Sequence, residues 1–312
     1  MRKLAQNKVS ESRWTLPLAA LYTVGVWLLY GLVRDELWLQ FALLAATSFL
    51  MMQLNKLHVL IRIYSRMVSS TFLVLSCCAC FLFPVVNEAL ASAFIVLTYI
   101  LLFTSYQDKE ATGKVFYAFL SLGIASIANV HTLFFVPVFW VFLAKNLSVL
   151  SWRTWFASIL GLLTPYWFTA AWLLSVNSLE SLLDHLAQLL EFHKPFDLTS
   201  IPIEALATYC LINILMFIGI VHFIRKSYAE NIRTRMFYTI FIWMGILSAS
   251  VLAIQPQYYD LLIRIMIINT APLIAHFFSL TSTKVTNATF YILVAVTFAL
   301  TAYNVWNTSS LF

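Results

Sequence analysis

Apolar residues run along this chain in long unbroken blocks, separated by short polar segments. The blocks are Thr15–Val33, Leu37–Leu54, Met67–Val86, Ala89–Ser105, Val115–Asn129, Thr132–Ala144, Trp155–Val176, Ile203–Ile224, Phe237–Ile254, Leu261–Leu280 and Ala288–Trp306. Crossing a hydrocarbon core of about 30 Å takes about 20 helical residues. Strands of a membrane barrel would instead alternate over about ten residues. Continuous blocks of this length predict an all-α, polytopic transmembrane helix bundle of about 11 spans, a single integral membrane domain over residues 1–312. The first block lacks a small-x-small site after it and is read as a span, not a cleaved leader.

Composition sharpens this picture. Of the 312 residues, 62% are apolar and 10% charged, against about 45–50% and about 25% in soluble domains. These values exclude a disordered chain, a secreted disulfide scaffold and an ordinary soluble enzyme. Cys77, Cys78, Cys80 and Cys210 all sit inside apolar blocks, as small packing residues in helices. Basic residues retained on the cytoplasmic side set orientation. With the N-terminus cytoplasmic and the C-terminus extracytoplasmic, sixteen of the 19 Lys and Arg residues fall inside. Only Arg34, Lys194 and Arg264 lie on or near the outside. The net charge of +6 is then a topology signal, and no basic stripe for nucleic acid is present. Nine of the 13 carboxylates face out, so the outer face is the better supplied with reactive groups. Short loops and a strong basic bias suit a bacterial inner (cytoplasmic) membrane, with membrane lipid as the surrounding partner.

Two segments depart from the simple pattern. Residues 177–202 form a predicted extracytoplasmic loop, opened by an amphipathic helix over Ser178–Phe192. Asn177 is placed to cap it, with Glu180 three residues on. The stretch Val115–Ala144 holds thirty uncharged residues interrupted by Asn129 and His131, between the inside residues Lys114 and Lys145. Both ends share a side, so the chain must turn near Asn129–His131 as a pair of short helices. The short N-terminal and C-terminal tails read as unimportant. His58, His222 and His276 read as scattered interfacial or packing residues on the cytoplasmic side.

Candidate chemistry collects at the outward ends. Asp35 and Glu36 form the first outer turn and are the candidate catalytic acids, one of them a general base; two acids in a solvated turn is the plainer alternative. Glu88, Asn129, His131, Asp260 and Arg264 are candidate substrate-binding residues. Arg264 is the only cation placed within a span. It must face protein, pairing with Asp260 one turn earlier or with an anionic ligand such as a phosphate. No GxGxxG, phosphate loop, HExxH or GxSxG pattern occurs, and no metal site is indicated.

The order of these features resembles that of the polytopic glycosyltransferases of the GT-C fold. Asp35-Glu36 follows the first span, Asn87-Glu88-Ala-Leu opens a later one, and Gly123-Ile-Ala-Ser-Ile-Ala-Asn129-Val-His131 runs into Val136-Pro137. Trp152-Arg153-Thr-Trp155 leads to Gly161-Leu-Leu-Thr-Pro165, and Arg264 shares a span with Pro272. The resemblance covers about Thr15 to Leu280. It implies sugar transfer from a polyprenyl-phosphate carrier at the extracytoplasmic face, with Asp35 or Glu36 as base and Arg264 at the lipid phosphate. No cofactor is implied beyond the divalent metal that some members use. The first outer loop here is three residues, where the family has a long one bearing amphipathic helices. The chain also resembles bacterial multi-pass membrane proteins with the same short plan. A non-catalytic membrane subunit or scaffold is therefore the alternative. A transporter or flippase is a third reading, disfavoured by the lack of an internal repeat.

Overall fold

The structure is a computed structural model that describes residues 4–192, 195–197 and 201–309. Arg2, Lys3 and Lys194, which entered the charge asymmetry, lie outside the described residues. Thirteen α-helices account for most of the described chain, and no strand occurs among those residues. They are α1 (Ala5–Glu11), α2 (Thr15–Tyr30), α3 (Trp38–His58), α4 (Met67–Cys78), α5 (Val86–Thr104), α6 (Thr112–Ala128), α7 (Val136–Lys145), α8 (Trp152–Ser175), α9 (Glu180–Ala187), α10 (Ile203–Lys226), α11 (Ile232–Ile254), α12 (Tyr259–Leu280) and α13 (Lys284–Ser309). The chain divides into two compact units, one of Met1–Val86 with Phe196–Phe312, the other of Asn87–Pro195.

In the first unit α12 is the core. It is buried along nearly its whole length, with α4, α10 and α11 packed around it. Close approach depends on glycine. A Cβ on Gly219 of α10 would meet the Leu273 Cβ at 2.8 Å, and one on Gly245 of α11 would meet the Met216 sulfur at 2.6 Å. Buried polar groups are tied across helices: Asn304 of α13 donates to the Cys78 carbonyl (2.6 Å) and to the Thr208 hydroxyl (3.0 Å).

The N-terminal segment, read from sequence as an unimportant tail, is anchored. Gln6 of α1 is fully buried, and its amide donates to the Thr281 and Thr286 hydroxyls at 2.8 and 3.2 Å. Asn7 donates to the Thr281 carbonyl (2.9 Å), and Ser65 to the Ser10 carbonyl (2.8 Å). α1 is thereby fixed to the C-terminal end of α12 and the N-terminal end of α13.

In the second unit α6 and α8 form the principal pair. A Cβ on Gly161 would run into the backbone of α6 at Phe116, and one on Gly123 would meet the Leu162 carbonyl at 2.7 Å. Contacts advance together along both helices, ending with Tyr166 donating to Ser126 at 2.8 Å, so α6 and α8 run in the same direction. The chain between them must therefore double back, as the interruption near Asn129 predicts.

Six helical segments are long and apolar enough to cross a membrane, by length and composition: Val86–Thr104, Trp152–Ser175, Ile203–Ala229, Ile232–Ile254, Pro256–Leu280 and Lys284–Thr308. Eleven full-length crossings do not emerge. α2, α4, α6 and α7 are apolar but span only 16, 12, 17 and 10 residues. The first three end where local chemistry stops a helix. Gly31 caps α2 at φ +124°, a backbone conformation open to glycine. α4 gives way to a 3-10 turn at Cys80–Leu82 just before Pro84, and α6 ends at extended Asn129. α3 has 21 residues, but Gln40, Gln53 and Asn55 dilute its apolar character.

The 177–202 segment also differs from expectation. Its helix is short, Glu180–Ala187, followed by a 3-10 turn at Gln188–Leu190. Asn177 does not cap it. The N-cap is Leu179, and Asn177 takes a left-handed φ of 56° just past the end of α8, a conformation asparagine tolerates. None of the α9 side chains is buried.

Candidate functional site

The predicted site residues fall into three groups. The first is the turn after α2. Arg34 and Asp35 form a bidentate pair, Nε to Oδ1 at 3.0 Å and Nη2 to Oδ2 at 3.1 Å, with both side chains exposed. The guanidinium holds the Asp35 carboxyl below the usual carboxylate range. A carboxylate so stabilised is a weak base. Glu36 is exposed and has a positive φ of 52°.

Arg264 is the second group, one turn into α12 after Asp260. Its guanidinium donates to the carbonyls of Leu82 and of Val85, the latter at 3.3 Å. Those carbonyls belong to the chain between α4 and α5, where the 3-10 turn ends and helical partners are lost. Facing protein was expected of this arginine. Recognition of backbone carbonyls was not.

The third group lies in the second unit and is the most organised. Asn129 interrupts the helix in extended conformation (φ −147°, ψ 112°) and opens a 3-10 segment, Val130–Phe135, that leads into α7 at Val136 and Pro137. Its amide nitrogen donates to the Glu88 Oε1 at 3.1 Å. Its carbonyl oxygen accepts from the His131 backbone N–H at 3.0 Å and meets the His131 Nδ1 at 3.1 Å. The chemistry fixes the direction of this chain. The His131 backbone N–H only donates, so Asn129 must turn its oxygen toward His131 and its NH2 toward Glu88. An amide oxygen only accepts, so the His131 Nδ1 carries the proton. In the neutral imidazole Nε2 is then the lone-pair nitrogen. Asn129 thus sets the tautomer of His131, and Glu88, from the first turn of α5, accepts from the other end of its amide. Near the same end of α6, the His185 Nε2 bonds the Ser126 carbonyl at 3.0 Å, and the rings of Phe134 and Phe192 stand 6.1 Å apart.

A fourth cluster was not predicted. His222 and His276, read as scattered, have ring centroids 5.3 Å apart between α10 and α12. His276 is fully buried, its Nε2 lies 3.5 Å from the Glu230 Oε1, and the Tyr238 ring is 5.0 Å away. Arg62 approaches the same carboxylate oxygen at 3.7 Å and donates to the Ala229 carbonyl at 3.3 Å. Burial pushes the Glu230 carboxyl above its usual range, and Arg62 opposes the shift. Among the described residues, no group of three or more His, Cys, Asp or Glu is arranged to hold a metal ion. Compared with family models, curated proteins and solved structures, the chain matches none.

Proposed function

We propose that this chain is a multi-pass protein of a cytoplasmic membrane, N-terminus inside, that carries out acid–base group transfer at its extracytoplasmic end. The observation that carries the reading is the Glu88–Asn129–His131 chain of hydrogen bonds at a helix interruption. A general base must be held in one tautomer and one orientation, and this arrangement supplies both. His131 Nε2 takes the proton of an acceptor hydroxyl as that oxygen bonds to the anomeric carbon of the donor, whose bond to the carrier phosphate breaks so that the polyprenyl phosphate leaves. Glu88 stabilises the imidazolium that forms, through Asn129. The reaction class follows the resemblance: transfer of a sugar from a polyprenyl-phosphate carrier. The paired, exposed state of Asp35 makes it the weaker candidate for the base.

The test is transfer from a polyprenyl-phosphate sugar by the full chain in proteoliposomes. His131→Ala abolishing transfer, with Asp35→Asn and Glu36→Gln active, supports the assignment. The reverse pattern returns the base to the first outer turn, and no transfer by the unaltered chain removes the enzymatic reading. A non-catalytic membrane subunit is the second reading. It is favoured by the internal use of two charged groups, Arg34 on Asp35 and Arg264 on backbone carbonyls.

A further inference from the structure

A groove of about 400 Å³ opens in the first unit between α1, α2, α4, α12 and α13. Its walls include Ala19, Leu75, Ile274, Phe290 and Val294, and Lys8 stands exposed at its α1 end. The walls are dry in chemical terms. The Ser70 and Thr297 hydroxyls that border the groove are turned back onto the carbonyls of Arg66 and Leu293, at 3.0 and 2.7 Å. A polar ligand would find few partners there, and a hydrocarbon tail would lose nothing.

Its depth is informative. The groove begins near the ends of α2, α4 and α13 that follow Arg13, Arg66 and Lys284 and near the end of α12 that precedes Lys284, and its wall reaches Leu75 on α4 and Phe298 on α13. From Met67 to Leu75 on α4, and from Phe290 to Phe298 on α13, the helical rise is about 12 Å. That is close to the half-thickness of a hydrocarbon core, about 15 Å. The groove therefore fits the tail region of one leaflet. Lys8 is held at its end because α1 is pinned by buried Gln6.

We propose that this groove binds one acyl chain of an anionic phospholipid of the cytoplasmic leaflet, with the headgroup phosphate at Lys8. The inference rests on the membrane-embedded, N-terminus-inside reading but not on sugar transfer.

The full chain is reconstituted in nanodiscs of phosphatidylcholine containing a minority of phosphatidylglycerol, extracted into mild detergent and weighed intact by native mass spectrometry. A retained phospholipid is expected, with phosphatidylglycerol enriched about fivefold over its share of the bilayer, the effect of one basic group at an anionic headgroup. Lys8→Gln should keep a lipid but return its composition to that of the bilayer. Val294→Trp, at a half-buried wall position, should lose the lipid. Leu18→Trp, at an exposed wall position, serves the same purpose if the first variant melts early. Three outcomes overturn the proposal: no lipid on the unaltered chain, enrichment that persists in Lys8→Gln, or a lipid that persists in folded groove-filling variants. Because the lipid is weighed and not turned over, failed sugar transfer leaves the result intact. Labelling of a cysteine at Ser12 from outside would fail the orientation separately.

Discussion

The chain contains two carboxylate–histidine neighbourhoods, and they are built differently. Glu88 reaches His131 through the amide of Asn129, by directional bonds of 3.0 to 3.1 Å at a helix break. Glu230 meets His276 with no intermediary at 3.5 Å, in a setting of Tyr238, Phe223 and His222 rings. The first arrangement fixes a tautomer and an orientation of the ring. The second surrounds the ring with aromatic faces and shares its carboxylate with Arg62. A helix break places backbone and side-chain polar groups where they can orient one another. A helix–helix interface places them by packing, and their geometry follows the packing.

The comparison can be broken at four points. The largest effect is expected at His131. His131→Ala should lower transfer by about 10²–10⁴-fold, the usual contribution of a positioned base, and a turnover assay at matched protein levels reads it. Asn129→Asp comes next. It removes the donor to Glu88 and sets a second carboxylate beside it, so transfer should fall by a smaller factor, and its pH profile should shift where that of the unaltered chain does not. Third is Glu230→Gln. The carboxyl of Glu230 titrates above its unfolded value because it is buried, with Arg62 and His276 facing it. Its contribution to stability is complete below the ordinary carboxylate range and is lost as pH rises through the raised value. The variant should therefore gain on the unaltered chain in thermal melts as pH climbs from that range toward neutrality. Solvent at the half-exposed Arg62 keeps the gain to about 1 kcal/mol or less. Asp35→Asn should have the smallest effect, leaving the melting temperature unchanged because both members of its pair are exposed.

The sequence makes some of this legible and hides the rest. The break at Asn129 is readable because thirty uncharged residues exceed one crossing and both flanks are basic. Arg264 is readable as a residue that must face protein, since lipid would not take its charge. Its partners are not readable, because the carbonyls of Leu82 and Val85 become available only where the 3-10 turn stops. Hydropathy gives eleven blocks because it registers apolar residues and not the Gly31 and Pro84 signals that end helices inside them, and because each short arm beside the Asn129 break counts as a block of its own. The His222–His276–Glu230 cluster is invisible to periodicity, since it depends on which faces of α10 and α12 meet. Gly219, against Leu273, decides that meeting. The Glu88–Asn129 bond was within reach of the residue types named but not of their spacing, as forty residues separate the two partners.

The bare side of α8 carries its own scale bar. Trp152 and Trp172 are both largely exposed, and the twenty residues between them correspond to about 30 Å of helix. Indole rings concentrate where headgroups meet oil, and this distance equals the thickness of the oil. Tyr166, which holds Ser126, lies about 9 Å short of Trp172 on that scale. The Asn129–His131 bend follows Ser126 by less than a turn, and where α8 spans a membrane as proposed above, that bend would sit just beneath the waterline. There a proton acceptor is shielded from bulk solvent, yet a headgroup-bearing molecule need only dip to reach it.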